Sequence, residues 1–275
     1  MLTRLLKLFL AAIFYIIREC VRFVGRSIGR STPSSSVVLM YHAVKADKLE
    51  DFKKHMDLIM KIGNPSWADS VEMTSDARPK IAVTFDDGFR SVVENALPIM
   101  QERGIPTTIF VPTGYIGKKP DWKFDSPDDA IVDDEVLNET QLRGLDYDLV
   151  KIGSHSVTHS RLPQLGQKEA NKELMESKKA LENILGKSVD LFAFPYGDYN
   201  EETIKLCIKV GYRCIFIATP MWGSSANNGT VRGRIDISLN DWCFEYRLKM
   251  LGAYEWLPWA IKLKGKLLSA IKGVS

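Results

Sequence analysis

Histidine and cysteine are both scarce in this chain, with four of each among 275 residues. Cys20, Cys207, Cys214 and Cys243 make neither a CxxC pair nor a dense framework, which excludes a zinc ribbon or a disulfide scaffold. Buried free thiols are expected instead. Long apolar runs are missing as well. LFLAAIFYII at 8–17 would be only ~15 Å long as a helix, whereas a bilayer crossing takes about 20 apolar residues. The IREC after it offers no A-x-A cleavage pattern, which argues against a removed secretory signal and leaves an uncleaved anchor open. No internal repeat is visible. What remains is a 45% hydrophobic chain, neither disordered nor fibrous, of a length that α/β barrels reach as single domains.

Charge is unevenly spread. The formal net charge is +3, yet residues 1–31 balance at +5 and residues 256–275 at +4, which leaves the body at −6. An acidic body argues against nucleic acid as a partner, and basic ends point to an anionic membrane surface. Turned at 100° per residue, Arg4, Lys7, Arg18 and Arg22 fall within a wedge of roughly 60°, with Leu2, Leu6, Phe9, Ile13 and Ile17 away from it. Two readings fit: an interfacial helix with arginines aimed at lipid headgroups, or a helix packed on the protein's own core. Trp256, Trp259, Leu263 and Leu267 form a second apolar stripe beside lysines, suited to a membrane interface or to docking on the body. The expected organisation is an amphipathic helix over 1–31, a barrel over 32–255 and a basic amphipathic helix over 256–275. Membrane association is expected, with the cytoplasmic face favoured and the cell envelope, through an uncleaved anchor, as the alternative.

Between the ends, β-rich runs alternate with helical patterns. VVLMY (37–41), IAVTF (81–85), TTIFV (107–111), VKIGS (150–154), DLFAF (190–194) and RCIFI (213–217) read as strands buried on both faces. SVVENALPIMQERG, QKEANKELMESKKALENILGK and EETIKLCIKVGY carry helical periodicity with a glycine near each end. The alternation predicts an α/β fold, a distorted (β/α) barrel of about seven strands. Residues 117–140, acidic and turn-rich, read as a surface insertion.

VTFDDGF at 83–89 sets two carboxylates side by side behind a strand and closes them with glycine. A solvated turn would explain that, as would one carboxylate holding a metal while the other moves protons. GSHSVTH decides in favour of the second. It spends His155 and His159, half the histidines of the chain, directly after another strand, and with an aspartate they make a 2-His-1-carboxylate set with open positions. Non-haem iron oxygenases share that set but begin it with His-x-Asp, absent here, so hydrolysis is favoured.

TFDDG, then HSVTH, then FPYG, in this order, resembles the polysaccharide deacetylase family, the NodB-homology domain of carbohydrate esterase family 4. The likeness runs from VVLMYHAV at 37 to about Tyr254, and its FAFPYG form is similar to poly-N-acetylglucosamine deacetylases. It implies a distorted (β/α) barrel that removes an acyl group, usually acetyl, from an amino sugar. Carried over by motif, Asp86 resembles the general base, while Asp87, His155 and His159 resemble the ligands of a divalent metal, zinc by default. The backbone N–H of Tyr196 resembles the oxyanion donor. Tyr41, Phe194, Pro195, Tyr196, Gly197 and Trp242 are candidates for lining the substrate.

Two departures from the family pattern matter. Many members carry an arginine where this chain has Ala193, and Arg234, in VRGRID, is the candidate replacement. Many also take their general acid from a C-terminal histidine, but no histidine follows His159. His55, in DFKKHMDLIM, is expected on a surface helix, which leaves His42 as proton donor or as a structural histidine near the site. The expected substrate is an N-acetylated amino sugar in a polysaccharide or lipid-linked saccharide. Alternatives are a deformylase of a lipid-linked formamido sugar and a catalytically silent glycan-binding barrel.

Overall fold

The computed structural model describes residues 2–30, 36–70, 78–122, 133–221, 225–226, 229–260 and 263. Helix α1 (Leu2–Ser27) precedes strand β1 (Ser36–Tyr41), helix α2 (Leu49–Ile62) and strands β2 (Asn64–Pro65) and β3 (Lys80–Phe85). Helix α3 (Leu97–Gln101), strand β4 (Thr107–Val111), helix α4 (Glu139–Arg143) and strand β5 (Val150–Ser154) follow. Helix α5 (Gln167–Leu185), strand β6 (Leu191–Ala193), helix α6 (Glu201–Val210) and strand β7 (Cys214–Ile217) continue the alternation. Short strands β8 (Ser225–Ala226), β9 (Val231–Gly233) and β10 (Ile235–Asp236), then helix α7 (Cys243–Met250), complete it.

Parallel pairing joins β1, β3, β4, β5, β6, β7 and β9 in that order, and β10 returns to the free edge of β1. One residue, Arg234, separates β9 from β10. Its N–H donates to Ile217 O at 2.9 Å, and Ile237 N–H donates to Met40 O at 2.9 Å, so the segment 231–237 spans both edges and closes the barrel. Every residue of β1 is buried, as the unbroken VVLMY run requires when helices cover one side and the barrel interior the other. Helix α5 packs by Ala170, Leu174, Ser177, Leu181 and Ile184, a stripe at helical spacing. Helix α6 starts where Asn200 Oδ1 accepts from Thr203 N–H at 2.9 Å.

Several expectations need correction. The helix expected over 91–104 opens as a π-turn, Val92–Ala96, and continues as α only through Gln101, because Pro98 brings no N–H. The strand expected at 190–194 keeps three residues, since Phe194 already turns into Pro195–Gly197. Cys207 and Cys214 are buried, but Cys20 and Cys243 are exposed. His55 lies inside, with Nδ1 3.2 Å from the Tyr41 hydroxyl and its ring stacked on Tyr246 at 3.5 Å. The 117–140 segment is not wholly on the surface, because Val136 and Leu137 are buried and Leu137 N–H donates to Gly88 O at 2.9 Å. The helix expected over 256–275 falls largely outside the described residues.

Helix α1 shows the largest reversal. Its arginine wedge faces the barrel. Arg18 is buried, donating to Gly252 O at 3.0 Å and Leu251 O at 2.5 Å and pairing with Glu255 at 3.2 Å. Arg4 pairs with Glu245 at 2.7 Å and lies over Trp242 at 4.6 Å. Headgroup contact through these arginines is therefore replaced by docking on α7 and the segment after it. The physical reason is local: acids and C-terminal carbonyls around α7 offer partners that a purely apolar seat would not.

Burial pushes the Glu255 carboxyl up to about 7 even though the Arg18 charge opposes it. A folded-state value above the unfolded one gives stability that is present at low pH and lost as pH rises through about 7. The melting temperature of Glu255→Gln should therefore match the native protein near pH 5 and exceed it increasingly towards pH 8. Parallel melting curves across that range would contradict this assignment.

Candidate active site

The C-terminal ends of β1, β3, β5, β6, β7 and β10 deliver the residues at the barrel mouth, where such folds carry their functional loops. A cavity of about 140 Å³ opens there, lined by His42, Asp86, Asp87, His155, His159 and Tyr196 among others. Asp87 follows β3 in a left-handed conformation, φ 67°, and Gly88 continues it at φ 60°. A Cβ on Gly88 would meet Val111 Cγ2 at 3.0 Å, so this turn needs glycine both for its angles and for its space. The consequence is that consecutive carboxylates point differently, Asp86 into the barrel wall and Asp87 towards the histidines.

Asp87 Oδ1 lies 3.1 Å from His159 Nε2 and 3.6 Å from His155 Nε2. His155 Nδ1 donates to Ala193 O at 2.8 Å, and because a carbonyl only accepts, the lone pair of His155 sits on Nε2. Asp87, His155 and His159 offer ligand atoms within 4.8 Å of one another, all buried, and Asp87 Oδ1 receives no hydrogen bond. A carboxylate and two imidazoles converging on one point fit a cation. Burial pushes His155 down to about 4, so it is neutral at pH 7, the form in which imidazole ligates. Burial works to raise Asp87, but His159 beside it more than offsets this and brings the carboxyl to about 2.

Asp86 has a different partner. Arg234 Nη1 donates to Oδ1 at 2.5 Å and Nη2 to Oδ2 at 2.8 Å, a bidentate pair with both side chains buried. Phe110 and Phe216 flank the guanidinium with ring centroids at 5.2 and 5.9 Å. Burial alone would raise the Asp86 carboxyl, yet the Arg234 charge holds it below the ordinary range. Asp86 N–H also donates to Tyr41 O at 2.9 Å. Arg234, the arginine singled out in the sequence, is thus the partner of Asp86.

The loop between the two histidines is held by a residue that sequence reasoning did not single out. Glu173, on α5, accepts from Val157 N–H and Thr158 N–H, both at 2.8 Å, and from Thr158 Oγ1 at 2.9 Å. Trp122 was likewise missed. It comes from the segment read as a surface insertion, stacks on His159 with centroids 4.3 Å apart and lines the cavity. A tryptophan in an acidic, turn-rich stretch was the available signal.

The sequence profile described as polysaccharide deacetylase matches residues 74–215, more than half of the chain. The chain belongs to the polysaccharide deacetylase family. Among its relatives, YxkH of Bacillus subtilis (strain 168), named for the same family, is 28% identical over 193 residues, covering 66% of this chain and 63% of YxkH. A poly-beta-1,6-N-acetyl-D-glucosamine N-deacetylase of Staphylococcus aureus (strain MSSA476) is 28% identical over 61% of this chain and 57% of its own length. The match thus spans less than two thirds of either relative. The solved structure of IcaB from Ammonifex degensii superposes with a TM-score of 0.65 at 19% identity, over 82% of this chain and 98% of that one. At that identity the likeness establishes the shared barrel alone.

Not every candidate reaches the cavity. His42, Tyr196 and Gly197 line it, whereas Tyr41, Phe194, Pro195 and Trp242 do not. Tyr41 is buried in the core with its hydroxyl donating to Tyr246 Oη at 3.1 Å. Phe194 packs on Phe192 at 5.1 Å, and Pro195 is buried behind the turn it starts. Trp242 is occupied by Arg4. Each fails because the side chain belongs to an apolar layer or to a helix cap, while its backbone or neighbour reaches the mouth.

Replacing Arg234 separates charge from geometry. Arg234→Met strands a buried carboxylate and should lower stability by about 3–5 kcal/mol, whereas Arg234→Lys, which keeps the charge and loses the fork, should fold with a smaller loss. Chemical denaturation of the two variants is the check. Equal stability of both with the native protein would mean that the pair carries no such load.

Proposed function

We propose that this deacetylase is a metal-dependent hydrolase that removes an N-acetyl group from an amino sugar in a glycan. The observation that carries the reading is a carboxylate fixed by Arg234 beside a separate, convergent triad of Asp87, His155 and His159 in one cavity. The relatives named as poly-beta-1,6-N-acetyl-D-glucosamine N-deacetylases support the substrate class.

An amide carbonyl is a poor electrophile, and a divalent cation, which Asp87, His155 and His159 would hold, with zinc the best match to this donor set, would supply carbonyl polarisation and a more acidic water. Asp86 accepts a proton from the attacking water. Its oxygens, each with a lone pair beyond the one given to Arg234, can do so without breaking the pair. The water oxygen bonds to the carbonyl carbon, and the resulting oxyanion is received by the Tyr196 N–H, in a turn whose left-handed φ of 58° keeps it at the cavity wall. His42 donates a proton to the amide nitrogen as the C–N bond breaks, which releases an amine and acetate.

The Arg234–Asp86 pair and His42 in the cavity favour chemistry over a silent glycan-binding barrel. Removal of a formyl group would follow the same steps, and the released acid distinguishes the two. The exposed apolar face of α1 supports residence at a membrane surface, with the basic ends favouring the cytoplasmic side.

Asp87→Ala, His155→Ala and His159→Ala should each lose metal and hydrolysis together, as measured by elemental analysis and by acetate release from poly-N-acetylglucosamine. Asp86→Asn should keep the metal and lose turnover by about 10²–10⁴-fold, the worth of a general base. Near-normal rates in Asp86→Asn would remove Asp86 from that role.

His42→Ala should likewise retain metal and lose about 10²–10⁴-fold in kcat, with the alkaline limb of the pH–rate profile displaced. A His42→Ala enzyme with an unchanged profile would make His42 structural.

A further inference from the structure

Helix α1 is pinned to the barrel through Arg4 and Arg18, with Leu8, Ala11, Ala12 and Tyr15 packed beside them. Ala11 and Arg18 are buried, while Leu6, Phe9, Ile13, Ile16, Ile17 and Val24 face outwards, with Phe9 62% and Ile17 58% exposed. On a helical wheel the exposed apolar side chains cover an arc of about 160°, opposite the buried Arg18.

The first turns of this helix also border the catalytic mouth. A second cavity, of about 320 Å³, is lined by Thr3, Arg4, Lys7, Pro220, Tyr254 and Leu257 among others. Ala218 and Asp236 line both this cavity and the catalytic one, so the two adjoin. Arg4 is engaged with Glu245 and Lys249 with Asp241, whereas Lys7 is exposed and makes no ion pair among the described residues. An anion entering from the α1 side therefore meets the uncommitted ammonium of Lys7, with Arg4 and Lys249 beside the carboxylates of Glu245 and Asp236 and with Pro220, Tyr254 and Leu257 as the apolar part of the wall.

We infer that the substrate is an amphiphile drawn from a membrane, an N-acylated amino sugar joined through a phosphate to an apolar chain. The sugar occupies the catalytic cavity, the phosphate sits beside Lys7 in the adjoining cavity, and the chain runs into the lipid that covers the apolar face of α1. This rests on the deacetylase reading above and adds to it the place where the aglycone goes. Charge favours lipid over a second copy as the cover of α1. Lys7, Arg26 and Arg30 are exposed, and the helix's one acid, Glu19, is paired with Arg18 and Arg22. Two copies would bring like charges together, while anionic headgroups neutralise them.

The test uses the full chain, vesicles of anionic phospholipid with and without N-acetylglucosaminyl-phosphoryl-polyprenol, and a soluble β-1,6-N-acetylglucosamine oligomer. The native protein should cosediment more with vesicles that carry the phosphoryl-linked sugar than with vesicles of equal charge that lack it. Lys7→Glu should reduce that difference by about tenfold, the scale of one charge-assisted contact. In acetate release, the ratio of kcat/KM for the lipid-linked substrate to that for the oligomer should fall by a similar factor. Ile13→Glu with Ile17→Glu, both at exposed positions, should lower the same ratio and release the protein from vesicles. Equal binding to both vesicle types, ratios unmoved in these variants, or a dimer that Ile13→Glu with Ile17→Glu dissociates without any vesicle binding would overturn the inference. Binding of the lipid-linked sugar without hydrolysis of either substrate would leave the subsite standing and defeat the hydrolase reading.

Discussion

Taking a carboxylate and a guanidinium out of water costs several kcal/mol for each ion, and a buried pair is tolerable only when its geometry returns that cost. Arg234 and Asp86 meet this condition with two parallel donations inside a wall of Phe110 and Phe216. The same residue is the hinge between β9 and β10, so its backbone closes the barrel while its side chain fixes Asp86. Closure and the orientation of Asp86 are thereby tied to one position. A shift of this segment would open the seam between β7 and β1 and strand the Asp86 charge at once.

A rigid wall is needed because the site stores strain. Among the described residues, the non-glycine positions with left-handed φ are Asp87, Ser156, His159 and Tyr196, all in the turns that build the cavity. Each costs on the order of 1–2 kcal/mol relative to ordinary backbone. The surrounding layers hold them there: Gly88 packs beneath Val111, Glu173 clamps the loop between the histidines, and Ala218 lies so close to Gly197 that no side chain fits between them. Strain of this kind aims Asp87 and His159 at each other, which relaxed turns would not do.

The seat of α1 follows from where the barrel leaves charge unsatisfied. The end of α7 exposes the carbonyls of Leu251 and Gly252, and Glu245 and Glu255 stand nearby, so arginines dock there with many partners. Seating the polar side turns the apolar side outwards. The exposed apolar face and the adjoining cavity are then consequences of a single helix orientation.

The strand runs, the helical stripe of α5 and the 2-His-1-carboxylate set were legible in the sequence because each is a local pattern, readable from residue spacing and chain order. VTFDDG behind one strand and GSHSVTH behind another already implied a shared layer, since parallel strands deliver their C-terminal ends to the same side. The sense in which α1 packs was not legible, for a wheel gives two faces without saying which meets the barrel. Trp122, Glu173 and the rejection of Tyr41, Phe194 and Trp242 were decided by contacts among distant segments. Arg234 marks the boundary between the two. The sequence supplied an arginine as a candidate, whereas its bond to Asp86, 148 residues away in the chain, exists only because the closing strand brings it back across the barrel mouth.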